Sequence, residues 1–431
     1  MTQTSAFPAR KSGPILALLF GILFIGVVDN QVVLPILSLI AATVHRPVAE
    51  LGWAVTGYAL AAAVQNLLFG PLSDYFGRKP VVLFGLAGFA LSAYLLSLAS
   101  LFSTFLILRA LMGLFAGILS TCVTAYVGDY FPYAVRGRAM GTVMASYFAA
   151  LVAGVPLGAV IADRWDWHWI FRGTSLLAAL LVLLTASILP RLHGSRGKSV
   201  ESPTKAAAKR TGQGESGAGK LEAPPTEAIR WNTREHFERY RHYLSSPEKL
   251  SALISGSFVS GATLALLTFV SPWLMRAYSL SASKVGLVFL LAGTASVVAS
   301  PLSGWLSDLF GKRRLFLSSS FVNAFLVLLL PWAGGMKKLM PLFFAVALAI
   351  AFRQTAQQTL ITELTPTHGR GSFVALRNCF SQAGIGLSVF LASFLFQRYG
   401  FQGVVIFSAV QSVLAACFFF AVREPALASS S

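Results

Sequence analysis

The chain has 431 residues, 55% of them hydrophobic and only 12% charged, with a mean hydropathy of +0.69. Soluble globular chains carry about 25% charged residues, so an ordinary water-soluble fold is excluded. The net charge of +18 sits mostly in the connections between apolar runs rather than on one basic face, which argues against a nucleic-acid partner.

Twelve apolar runs are read as membrane spans, near 14–40, 50–72, 80–99, 103–129, 139–162 and 168–190, then 250–275, 284–306, 314–333, 340–362, 376–397 and 400–422. Each can cross ~30 Å of hydrocarbon as a helix. Stretches such as "LLAALLVLLTASIL" lack the alternation of a β-barrel strand. The fold class expected is an all-α membrane protein. It has tails at 1–13 and 423–431, a six-helix bundle over 14–190, a linker over 191–249 and a second six-helix bundle over 250–422. The opening "MTQTSAFPARKSG" leads into a run too long for a signal-peptide core, so no cleavable signal is expected.

Span 1 carries "VDNQVVLPILSLIA". An Asp in mid-span costs ~2.5–3.5 kcal/mol on insertion scales and is a functional candidate by default. Asp29 is therefore a candidate proton carrier, with Gln31 a candidate substrate contact. Span 2 ends in "GPLSDYFGRK", Gly70 to Lys79. Asp74 there falls near a helix C-terminus, where the macrodipole disfavours an anion, so its carboxylate needs a partner. Span 4 carries Arg109 in "LILRALMGLFAG". Span 5 carries Gly154 and Gly158, a small-residue face suited to close helix packing.

The linker stretch "KSVESPTKAAAKRTGQGESGAGK" cannot bury a core. Its end, "RWNTREHFERYRHYL", has Asn232 and Glu235 at capping-box spacing. Phe237, Tyr240 and Leu244 follow at helical spacing, which predicts a short amphipathic helix on the membrane surface. Span 7 contributes Ser260, Thr263 and Thr268. Span 10 contributes Arg353, Gln354, Gln357 and Gln358 in "AFRQTAQQTL", a polar stripe expected to face protein or water.

The decapeptide at 70–79 returns as "GWLSDLFGKR", Gly304 to Arg313, so Asp308 and Gly311 repeat Asp74 and Gly77 at one fixed offset along the chain. The same offset carries Asp129, Pro132, Arg136 and Gly137 onto Glu363, Pro366, Arg370 and Gly371, and Arg164 onto Arg398. The chain is a six-span unit written twice. Parallel repeats of this kind occur in secondary transporters that bind substrate near the midplane between the halves. Lys and Arg number 24 in the linker, the tails and the connections after even-numbered spans 2, 4, 8 and 10, against 8 on the opposite side. The positive-inside rule then places both termini in the cytoplasm.

With these motifs the chain resembles the major facilitator superfamily over nearly its whole length. Gly70, Leu72, Asp74, Gly77, Arg78 and Lys79 match the family's loop signature, with Tyr75 in place of its first basic residue. Arg109 and Gly113 match a second signature, with Met112 in place of Gln. Gly154 and Pro156 partly match the antiporter signature, with Val155 between them. Asp29, Leu37, Ile40 and Ala41 resemble the first span of drug:proton antiporters, with Ser38 where that group has Pro. The resemblance implies that spans 1, 4, 7 and 10 line a central cavity. Asp29 and Arg109 would couple the proton there, and Arg353, Gln354, Gln357, Gln358, Thr263 and Gln31 would meet the substrate. It also implies a conformational gate built from Gly70, Asp74, Gly77, Arg78, Lys79, Asp308, Gly311, Arg136 and Arg370, with Asp74 clasping span 11 when the cavity faces outward.

No phosphate-binding glycine loop appears, the six His lack metal spacing and the three Cys fall within spans. No enzyme activity, cofactor or metal is expected. The reading is a proton-coupled exporter of small organic molecules or drugs, working by alternating access. It would be a monomer in contact with membrane lipid, in the plasma membrane (for a bacterial cell, the inner membrane). Proton-coupled uptake of an anionic metabolite and a non-transporting sensor remain open as alternatives.

Overall fold

A computed structural model of the chain describes residues 9–190, 233–363 and 370–422. Each apolar run within them is helical. Spans 1 to 4 are Ala9–Thr43, Val48–Phe76, Arg78–Leu96 and Phe102–Tyr130. Span 5 comprises Tyr133–Ala149, a π-helical turn at Ala150–Gly154 and Val155–Arg164; span 6 is His168–Ile188. Spans 7 to 10 are Pro247–Tyr278, Ala282–Phe310, Lys312–Leu329 and Met336–Glu363. Spans 11 and 12 follow within Arg370–Phe419, and the chain turns between them at Gly400 (φ 63°, ψ −156°), a conformation suited to glycine. No strand occurs among the described residues.

Exposure is inverted relative to a soluble protein. Leu176 is 74% exposed and Trp332 78%, whereas Asp29, Arg109 and Arg353 are all fully buried. An apolar exterior around a polar interior is what a hydrocarbon solvent selects. The first half packs around Phe89, Phe105 and Tyr126. The second packs around Phe269 and Phe289 near one end and Phe316, Phe373 and Phe419 near the other.

The sequence repeat extends to individual bonds. Gly77 (φ 88°, ψ 149°) and Gly311 (φ 86°, ψ 141°) make the same turn between helices. Lys79 Nζ donates to the Ala186 carbonyl (2.7 Å) and Arg313 donates to the Phe420 carbonyl (2.6 Å). Ala186 and Phe420 are themselves related by the repeat offset, so each half ties the start of its third helix to the end of its sixth.

The halves touch mainly toward the face carrying His45 and Gly335. There Ser271 donates to the Pro35 carbonyl (2.9 Å) and Thr56 to the Gly386 carbonyl (3.1 Å). Gly286 and Gly293 of span 8 lie against Pro156, Ala159 and Leu151 of span 5, with no room for a side chain on Gly286. Pro156 lacks the N–H that would close the helical turn onto Val152, and the π-helical turn falls at this place. Toward the face carrying Gly77 and Gly311 the halves part. Gly137 and Gly141 of span 5 and Gly304 of span 8 meet nothing within 4 Å. Among the described residues the molecule is closed at the His45 face and open toward the Gly77 face.

The helix Thr233–Ser245 rests on the feet of spans 7 and 11. Tyr243 is buried edge-on against Phe373 (5.3 Å). Leu244, of the face expected to meet the membrane surface, is exposed, and Tyr243 is buried against protein. Asn232 and the Glu235 and Phe237 side chains lie outside the described residues.

The two matched turns yield a stability prediction. A side chain at φ near +88°, ψ near 149° costs of order 1–3 kcal/mol. Gly77→Ala and Gly311→Ala should each lower the melting midpoint in detergent. Gly137→Ala, in open space on a helix, should leave it unchanged or raise it slightly. Equal effects at all three positions would remove the backbone argument.

Candidate functional site

The site begins with two charges that have left water. Arg109 donates to Asp29 Oδ2 at 2.9 Å, and both side chains are fully buried. Span 2 supplies the rest of the enclosure. A Cβ on Gly113, one turn beyond Arg109, would overlap the Tyr58 backbone, so glycine lets spans 2 and 4 meet. The Tyr58 ring then lies 4.6 Å from the guanidinium carbon, a cation–π contact, and its hydroxyl donates to the Gly26 carbonyl (3.4 Å). The pair is incompletely satisfied. Arg109 Nε and one terminal nitrogen, together with Asp29 Oδ1, have no hydrogen-bond partner among the described residues. Each ion withdrawn from water costs several kcal/mol, which pairing only partly offsets.

In front of this pair lies a cavity of about 360 Å³ between the halves, on the Gly77 side of the midplane. Tyr58 forms part of its wall, while Asp29 and Arg109 lie one layer behind. Its polar lining is dominated by carboxamides. Asn30, Gln31, Asn66, Gln354, Gln357, Gln358, Asn378 and Gln382 all reach it, with hydroxyls from Tyr147, Ser120, Ser260 and Ser381. Among the described residues on the wall, Arg377 of span 11 is the only charged one.

Of the expected substrate contacts, Gln31 and the three Gln of span 10 lie on the wall, and Arg353 and Thr263 do not. Arg353 points into the second bundle. It donates to Ser412 Oγ (2.9 Å) and Thr263 Oγ1 (3.0 Å), and Asn323 also donates to Ser412 Oγ (3.1 Å). Adjacent positions on a helix are about 100° apart, so Gln354 can face the cavity while Arg353 bonds to spans 7 and 12. Thr263 is the repeat counterpart of Asp29, at the same offset that links Gly77 to Gly311. Both halves therefore use the same place in their first helix to accept from a buried arginine, but only the first half uses a carboxylate.

Arg78, Lys79 and Arg136 bond within the first half. Arg78 donates to Asp129 (2.9 Å) and to Ser73, joining the ends of spans 2 and 4. Arg136 donates to the Phe131 carbonyl (3.2 Å) at the end of span 4. Gly70 lies in the helix of span 2 and Arg370 opens that of span 11. The side chains of Asp74, Asp308 and Arg370 lie outside the described ones.

Sequence reasoning missed Arg377, Asn378, Ser381 and Gln382. Span 11 was expected from 376, which left Arg377 among the loop charges; the helix starts at Arg370, two turns earlier. The i, i+4 pairs Arg377/Ser381 and Asn378/Gln382 were the available signal.

Two pseudo-symmetric helical bundles enclosing a polar midplane cavity define a secondary-transporter architecture. The profile of the Major Facilitator Superfamily matches residues 19–247 and 253–431; the chain belongs to that superfamily, whose members are transporters and not enzymes. It is 24% identical over 405 residues to an uncharacterized MFS-type transporter, YceJ of Bacillus subtilis (strain 168), covering 92% of this chain and 93% of that one. It is 22% identical over 382 residues to the multidrug resistance protein MdtG of Klebsiella pneumoniae (strain 342), covering 86% and 83%. In fold it is similar to a bacterial homologue of the human lysosomal transporter Spinster, in an inward-facing and occupied conformation. The TM-score is 0.73 at 15% identity, over 97% of this chain and 98% of that one. A D-xylose–proton symporter matches with a TM-score of 0.70 at 17% identity, over 96% and 98%.

The buried pair predicts non-additive losses. Removing one partner strands the other and costs about 3–5 kcal/mol. Asp29→Asn and Arg109→Gln should each lower the detergent melting midpoint strongly, and the double variant should be less destabilised than the sum of the two. Strict additivity would mean that the two side chains do not interact.

Proposed function

We propose that the protein is a proton-coupled secondary transporter that exports small organic molecules by alternating access, with Asp29 as the proton carrier. The supporting observation is the Asp29–Arg109 pair, a buried carboxylate one layer behind the cavity wall. A carboxylate here is stable as an anion only while the guanidinium is near, and burial favours its protonated form once the guanidinium moves. Tyr58 touches both Arg109 and the cavity. Cargo seated against the ring would hold Arg109 against Asp29 and so favour loss of the Asp29 proton, the sign that exchange requires. The multidrug resistance relative supports export as the direction.

The charge asymmetry between connections supports a cytoplasmic Gly77 face, so the present conformation is read as open to the cytoplasm. Labelling of a Gly334→Cys variant by impermeant thiol reagents on intact cells reads that orientation. In the opposite conformation the Gly77 face would close, with Asp74 meeting the N-terminal end of span 11. Gly70, Gly77, Arg78, Lys79, Asp308, Gly311, Arg136 and Arg370 would form the rest of that gate.

Uptake of an anion with a proton is favoured by one observation, Arg377 as the one charged group among the described residues on the wall. Charge movement separates the two directions. One-for-one exchange of a monoanion for a proton moves two charges and is driven by ~2.3 kcal/mol per charge per 100 mV, whereas their symport moves none.

The coupling is tested in proteoliposomes with a cargo identified by thermal-shift screening. Asp29→Asn should retain cargo exchange at equal pH and lose pH-gradient-driven accumulation by tenfold or more, on the order of the effect of losing a positioned proton carrier. Undiminished uphill transport by Asp29→Asn would assign the proton to another group.

A further inference from the structure

We infer that Arg377 anchors an acidic group of the cargo, so that the transporter selects organic anions with an apolar body and hydrogen-bonding groups. This rests on the cavity being the cargo site, and it adds the cargo's chemical class and the residue that sets it.

Three observations carry the inference. First, the wall has one charged described group and it is cationic; no carboxylate from either half reaches the cavity among the described residues. Asp29, the buried acid nearest to it, is already paired with Arg109 behind Tyr58. A cationic cargo would meet no counter-charge among the described residues and would face Arg377 directly, a like-charge juxtaposition that opposes binding.

Second, Arg377 is under-used. It donates to its neighbour Asn378 Oδ1 (3.2 Å), and its buried Nε has no partner among the described residues. A guanidinium offers a planar fork that matches a carboxylate through two parallel bonds. Third, the surroundings continue the pattern. A Cβ at Gly256 would lie 3.7 Å from Gln357 Nε2 and 3.8 Å from Ser381 Oγ, so spans 7, 10 and 11 converge beside Arg377 without a side chain filling the space. Carboxamides donate and accept alike, which suits hydroxyl, amide or carbonyl groups on the cargo. Ile22, Leu23, Leu119 and Leu264 supply apolar wall for its body.

The test is a matched ligand series that varies only the head group: hydrocinnamate, hydrocinnamamide and phenylpropylammonium. Binding is read as thermal stabilisation of the purified full-length protein in detergent at neutral pH, up to millimolar concentrations. Hydrocinnamate should stabilise the wild type. The amide should bind roughly tenfold to a hundredfold more weakly, the range expected from losing a charge-assisted hydrogen bond. The ammonium compound should not stabilise it.

Arg377→Gln should lose the preference for carboxylate over amide while keeping the amide binding, which also shows that the variant is folded. Arg377→Lys should keep part of the preference, because charge survives and the fork does not. Stabilisation by the ammonium compound, an undiminished carboxylate preference in Arg377→Gln, or no stabilisation by hydrocinnamate would each overturn the inference. The assay uses no gradient. It can fail while Asp29 coupling stands, and coupling can fail while anion selection stands.

Discussion

The structure is organised around the burial of one carboxylate in a medium that does not tolerate it. Asp29 is fully buried in the first bundle, and the Arg109 guanidinium at 2.9 Å is what makes that position affordable. Several local features serve this contact. Gly113 lets span 2 approach the span carrying the arginine, Tyr58 places its ring against the guanidinium, and Gly26 accepts the Tyr58 hydroxyl. The pair remains under-bonded, with Asp29 Oδ1 and two Arg109 nitrogens unpartnered among the described residues. Under the proposed mechanism, a fully satisfied pair would be inert, whereas an under-bonded one can change partners when span 2 moves.

Duplication explains both the symmetry of the scaffold and the place where it is broken. The turns at Gly77 and Gly311 match to within a few degrees in φ, and the bonds from Lys79 and Arg313 reach carbonyls at equivalent repeat positions. Asp29 and Thr263 share the same repeat position, and each accepts from a buried arginine of its own half. Threonine does not titrate in this role. The arginines themselves are not repeat counterparts, since position 109 maps onto Phe343, and the titratable acceptor belongs to the first half alone. Between the halves, small residues of span 8 and the Pro156 region of span 5 form a tight seam near the His45 face. That seam can serve as the pivot for the parting seen toward the Gly77 face.

Much of this was legible in the sequence because hydrocarbon imposes a strong grammar: long apolar helices, charges in connections, and exceptional charges inside. Asp29 and Arg109 stood out as charges within spans, and the structure puts them in contact. The repeated decapeptide marked the two turns. The remainder was lost where the sequence signal is weakest. A misplaced start of span 11 hid Arg377 among the loop charges, and helix boundaries are the least reliable feature of such a reading. The side on which a polar stripe faces is also not fixed by periodicity alone. Arg353 was grouped with its neighbouring glutamines, but Ser412, Thr263 and Asn323 form a polar pocket inside the second bundle that only tertiary packing brings together.

The account's central claim is that occupation of the cavity and protonation of Asp29 are linked. The most direct measurement is proton release in weakly buffered detergent solution, followed with a pH-sensitive dye as a stabilising ligand is added to the purified protein. The account predicts that the wild type releases protons in proportion to ligand bound, and that Asp29→Asn binds the same ligand with no release. Equal release from the Asn variant, or binding to the wild type without any release, would contradict it.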